Sequence, residues 1–156
     1  MAKRTKSKRP TKRAGGKAPA PRHPLRRQPE TLRLRTVAPS FTVNDLQRSI
    51  AWYRDVLGCA LGDRWEAEGR LMGVEFKVGY ITFMLTQDDF AKGRDRRKGE
   101  GFRLHCRTAQ DIDKLAVQIR ARGGVLDQEP KDMPWGDRVF MITDPDGFKL
   151  TLAQER

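Results

Sequence analysis

The sequence predicts an α+β fold of two tandem βαβββ modules, whose strands form a cleft of curved mixed sheet with the helices outside. Three observations predict it. A strand–helix–three-strand programme is written twice along the chain. Within each copy the hydrophobic period switches from two to helical spacing and back. The copies superpose at a constant offset of 66 residues, which sets Asp45 on Asp111, Leu46 on Ile112, Tyr53 on Ile119, Arg54 on Arg120 and Gly58 on Gly124. The predicted organisation is a basic tail over 1–33 and a domain over 34–156, divided into module one (34–87), a linker (88–100) and module two (101–156).

The tail precedes the first strand. Thirteen of the 32 Lys and Arg residues and one acid, Glu30, lie in residues 1–35, so this segment carries the whole +12 net charge and the rest is neutral. It is rich in Lys, Arg, Pro, Ala and Gly and poor in large apolar side chains, a composition that predicts disorder. A solvated extension is the favoured reading, and its charge would also allow weak, salt-dependent contact with nucleic acid. The neutral remainder supplies no net field for a polyanion.

The first strand is expected over Arg35–Val43, with Val37, Phe41 and Val43 on one face and Ala38, Ser40 and Thr42 on the other. Asn44 is the expected helix N-cap, with Gln47 as its capping-box partner. Leu46, Ile50, Tyr53 and Leu57 follow at helical spacing, and Gly58 stops the helix. Strands over Ala60–Ala67, Arg70–Val78 and Tyr80–Thr86 are punctuated by Gly69 and Gly79. Gln87–Gly101 reads as a solvated connection; its mixed charges argue against phosphate gripping by Arg94, Arg96, Arg97 and Lys98.

The second copy opens with a strand over Phe102–Thr108, then a capping box of Thr108 and Asp111. A helical stripe of Ile112, Leu115, Ala116 and Ile119 ends at Gly123-Gly124. Strands are expected near Val125–Asp127, Asp137–Thr143 and Phe148–Ala153, the last two joined by the turn Asp144-Pro145-Asp146-Gly147.

Cys59 and Cys106 lack the spacing of a metal knuckle or redox pair and read as buried thiols of a reducing compartment. No apolar run approaches the roughly 18 residues of a membrane span. No apolar stretch follows the N-terminal charges, and the expected location is cytoplasmic.

The segment Val-Asn-Asp-Leu-Gln-Arg-Ser-Ile-Ala-Trp-Tyr-Arg-Asp-Val-Leu-Gly (43–58) resembles the first helix signature of the vicinal-oxygen-chelate superfamily, the glyoxalase/bleomycin-resistance/dioxygenase group. Pro134-Trp135-Gly136-Asp137-Arg138 and Asp144-Pro145-Asp146-Gly147 resemble its closing hairpin. The resemblance covers about residues 36–153. It specifies a fold and leaves the reaction open, because one fold hosts many chemistries.

The resemblance implies that enzymes of this group hold a divalent metal through His, Gln or Glu on the first and last strands of each module. The matching positions here are Ala38, Met84, Arg103 and Thr151. Alanine has no donor, arginine stays protonated, methionine is soft and threonine weak. His105 and Glu75 are the nearest alternatives and do not make a site. No metal or other cofactor is therefore expected.

Alternation assigns Ser40, Thr42, Met84, Arg103, His105, Arg107, Lys149 and Thr151 to the cleft, with Trp135 and Arg138 nearby. This set suits an anionic or aromatic small molecule. The resulting expectation is a bleomycin-resistance-like small-molecule-binding protein without the family metal site; the resemblance further implies a homodimer. The alternative is a metal-dependent glyoxalase- or dioxygenase-type enzyme with a shifted ligand set.

Overall fold

A computed structural model of the chain describes residues 36–154, which fall within one compact unit. The basic tail lies outside the described residues. Eight strands and two helices follow the duplicated order. Module one contains β1 (Ser40–Val43), α1 (Leu46–Ala51), β2 (Ala60–Ala67), β3 (Arg70–Val78) and β4 (Ile81–Gln87). Module two contains β5 (Arg103–Thr108), α2 (Ile112–Ala121), β6 (Leu126–Asp132), β7 (Arg138–Thr143) and β8 (Lys149–Gln154). The strands form two four-stranded sheets, β1-β4-β3-β2 and β5-β8-β7-β6. The first strand of each module pairs in parallel with the last, and the remaining pairs are antiparallel, so both sheets are mixed.

Several boundaries depart from the sequence expectation for physical reasons. The first strand begins at Ser40 rather than Arg35: Pro39 accepts a bond from the Met84 backbone N–H but has no N–H to donate. The N-cap of α1 is Asp45 instead of Asn44, with its carboxylate accepting from the Arg48 N–H at 3.0 Å. Asp and Asn cap about equally well, so neighbouring candidates cannot be ranked from sequence. In module two Asp111 caps α2 through the Lys114 N–H, while Thr108 accepts from the Gln110 N–H in a local turn. β6 runs past Pro130, as an edge strand can. After Ala51, the helix of module one widens into a π-type turn over Trp52–Val56.

Strand alternation builds the core. Phe41, Val43, Val74, Phe76, Phe83 and Leu85 from one sheet and Phe140, Ile142 and Leu150 from the other are buried in one cluster with the apolar stripes of α1 and α2. Phe41 stands at the seam between modules. Its ring stacks on Phe148 at 4.6 Å and meets Phe83 and Phe102 at 6.0 Å.

The β7–β8 turn fastens module two to module one. The Tyr53 hydroxyl donates to Asp144 at 3.0 Å, and Asp144 also accepts from the backbone N–H groups of Asp146 and Phe148. Asp146 accepts from the Asn44 N–H at 2.7 Å and from the Ser49 hydroxyl at 3.0 Å. The two turn aspartates therefore hold the start of α1. Burial pushes the Asp144 carboxyl above its usual range, and the bonds it accepts oppose that push. Tyr53→Phe leaves this buried carboxylate short of a donor, with an expected loss of about 1–3 kcal/mol in urea unfolding. A loss within error would show that the hydroxyl contributes nothing to the join.

Among the described residues no helix is long and apolar enough to cross a membrane.

Candidate functional site

The two sheets share the core through their helix-bearing faces, so their uncovered faces point away from it. These uncovered faces carry the candidate site. On module one, Ser40 stands beside Met84, and Met84 beside Glu75. In the next row, Thr42 stands beside Thr86, whose hydroxyl donates to the Thr42 hydroxyl at 3.3 Å. Trp65 lies flat over Gly73, where a side-chain carbon would come within 2.1 Å of the ring. Only glycine lets the indole settle on the sheet at that point.

The linker closes one end of this face. An open recess of about 400 Å³ lies between Thr42, Thr86, Met72, Asp88, Lys92 and Arg96. Asp88 accepts from Lys98 Nζ at 2.5 Å, from Arg96 at 2.7 Å and from the Phe90 N–H at 2.8 Å. These bonds, that of Lys98 foremost, hold its carboxyl down to about 2. Lys98 also donates to the Thr42 carbonyl at 2.9 Å, which ties the linker to β1. Arg97 pairs with Glu100, and Arg94 sits over the Phe90 ring. The linker is thus partly built in, where its composition suggests only a solvated loop.

On module two, Arg103 stands beside Lys149 and His105 beside Thr151. Arg103 Nη1 donates to the Thr151 hydroxyl at 3.1 Å, and Thr151 is buried. Arg103, His105 and Lys149 are exposed. Arg107 shares their strand face and meets Asp137 at 3.5 Å. Trp135 is 60% exposed in the turn before β7.

Arg138 is a correction. It alternates with Phe140 and Ile142, which places it on the helix side of β7. There it makes two 2.8 Å bonds to Asp113 of α2 and a longer contact to Asp132. The Arg138 side chain braces the helix instead of lining the cleft.

Each chain therefore gathers two separate sets: Ser40, Thr42 and Met84 on one sheet, and Arg103, His105, Lys149 and Thr151 on the other. It does not bring them to one point. Lys92 carries no mark in the sequence, and the mixed linker charges argued against a gripping role for Arg96; the available signal was that Asp88 directly follows β4.

Among the described residues, no group of three or more His, Cys, Asp or Glu side chains could hold an ion. His105 and Glu75 lie on different sheets. Of the four positions matched to metal ligands, Arg103 and Thr151 are bonded to each other, and Ala38 offers no donor. A permanently cationic guanidinium opposes a second cation.

Comparison with known proteins places this geometry. The model of the glyoxalase/bleomycin resistance protein/dioxygenase superfamily matches residues 33–152. A probable lactoylglutathione lyase of Synechocystis sp. is 32% identical over 120 residues, covering 72% of this chain and 88% of that protein. A lactoylglutathione lyase of Arabidopsis thaliana is 28% identical over 120 residues, covering 73% of this chain. The chain spans 42% of the length of that plant relative. Among solved structures, TioX from Micromonospora sp. ML1 matches with a TM-score of 0.63 at 19% identity, covering 78% of this chain and 100% of TioX, a likeness of fold alone.

Proposed function

The chain belongs to the glyoxalase/bleomycin resistance protein/dioxygenase superfamily, and from that membership we propose that it is a bleomycin-resistance-like member that binds a flat, anionic small molecule without a divalent metal. The observation that carries this reading is the Arg103–Thr151 hydrogen bond. It sets a guanidinium where the superfamily resemblance would put metal ligands. Arg103 and Lys149 supply charge-assisted donors for a carboxylate, sulfonate or phosphate, and Arg103 adds a planar fork. Met84 and Trp65 supply apolar area for a ring.

Such a ligand needs both residue sets, and we propose that a second copy of the chain supplies the missing one. The free edges support this. β2 is irregular, with two register shifts, and β6 carries Pro130. Both features blunt an edge against pairing. β1 and β5 are also edge strands, without such protection in their paired registers. Beside them runs an apolar groove lined by Val37, Pro39, Phe41, Phe102, Leu104 and Phe148. Association there places module one of one chain next to module two of the other. The two free thiols, Cys59 and Cys106, fit a cytoplasmic setting.

The test uses the metal-stripped full chain and anilinonaphthalene sulfonate, a flat anion followed by fluorescence. Saturable binding is expected, weakened about tenfold by Arg103→Ala, the equivalent of one charge-assisted hydrogen bond of roughly 1.5 kcal/mol. Light scattering is expected to give a dimer. Binding that ignores Arg103→Ala would remove this reading.

The similarity to lactoylglutathione lyases favours a second reading, a metal-dependent lyase with a shifted ligand set. Stoichiometric nickel or zinc binding that is lost in His105→Ala would establish it in place of the first.

A further inference from the structure

The internal symmetry left by the duplication is broken at one place, and the break leaves a void. In one half the Tyr53 ring fills the space between the module-one helix and the β7–β8 turn, with its hydroxyl bonded to Asp144. The offset of 66 residues puts Ile119 of α2 in the place of Tyr53, Val78 in the place of Asp144 and Leu115 in the place of Ser49. Ile119, Val78 and Leu115 all line an apolar cavity of about 140 Å³ between the modules. The ring and hydrogen bonds that close one half have smaller, apolar counterparts in the other.

We propose that this cavity is a second ligand site, separate from the cleft, which takes an uncharged single aromatic ring or a short apolar chain. Its size is that of an apolar cavity that accepts benzene, about 150 Å³. Phe83, Leu104, Leu150 and Leu152 supply walls that gain dispersion contacts when the void is filled. Its polar lining is Arg107, Thr108 and Gln110, at the end of β5 and the turn that follows. The Arg107 side chain, however, lies on the cleft face of β5 with Asp137, so the cavity itself holds no charged group. Entry is available because two lining residues, Val78 and Ile81, are also 36% and 49% exposed. Cys59 and Cys106 line the same space and report on its occupancy.

The experiment titrates the full chain with toluene by calorimetry, with the reaction of both thiols with a disulfide reagent as the local readout. One toluene per chain is expected, with both thiols slowed on saturation. Ile119→Tyr restores the side chain of the other half, and Leu152→Phe fills the cavity from another wall. Each is expected to weaken toluene at least about tenfold, the scale of a lost apolar burial. If one filling variant fails to fold, the other decides. No saturation up to millimolar toluene, thiol rates unaltered by saturation, or an affinity unmoved by cavity filling overturns the proposal.

Discussion

Asp88→Asn is expected to lower stability by about 3–5 kcal/mol, the cost of stripping the partner from a buried charge. The side chains of Asp88 and Lys98 are each only 4% exposed. In the variant the amide oxygen still accepts from the Phe90 N–H, but the NH2 group that replaces the other oxygen cannot accept from Lys98 or Arg96, and the Lys98 ammonium keeps only the Thr42 carbonyl. An exposed ion pair would show almost no effect, so urea unfolding separates a buried latch from a surface contact. The loss should depend on acid. The carboxyl of Asp88 is held down to about 2 in the folded chain, below the roughly 3.9 of an unfolded aspartate. A depressed acid contributes its stability above the unfolded value and loses it as pH falls toward the folded one. The gap between wild type and variant should therefore be full at neutral pH and shrink between about pH 4 and pH 2. Asp144 runs the other way, because burial raises its carboxyl. Its contribution weakens folding as pH rises through the shifted range, in both proteins alike. A gap that stays constant into strong acid would refute the assignment to Asp88.

Phe41→Ala is expected to cost about 3–5 kcal/mol, the range for removing a buried phenylalanine. The ring is 3% exposed and lies between Tyr53 and Phe83 of its own module and Phe102 and Phe148 near the strands of the other. Removing it opens the seam at its centre. Denaturant unfolding should remain a single transition, because the two modules share one core. Two resolved transitions would show instead that the halves unfold independently. Phe83→Leu, which changes less volume within one module, provides a milder comparison.

The sequence made the elements legible wherever short-range chemistry decides them. β2 and β3 occupy the segments read from alternation, because Gly69 and Gly79 sit at φ values of 72° and 62° between strands. Such a backbone suits glycine and ends a strand on either side. The rows Ser40–Met84 and Arg103–Lys149 also follow from period two. What escaped depends on distant partners. Arg138 bonds Asp113, 25 residues earlier, and no local pattern announces that pair. Asp88 and Lys98 look like surface charges until Lys98 is seen reaching the Thr42 carbonyl. Alternation tells which side of a strand is buried, but not which neighbour buries it. The outward direction of the two uncovered faces therefore came only from the shared core.

The β7–β8 turn that grips the module-one helix through Asp144 and Asp146 belongs to the opposite half of the chain. A polypeptide severed within 88–100 would consequently yield a front piece whose helix has lost its clasp and a back piece with nothing to clasp. Neither piece could complete its interior in isolation; mixed in equal amounts, they would have to find one another first and fold as a pair.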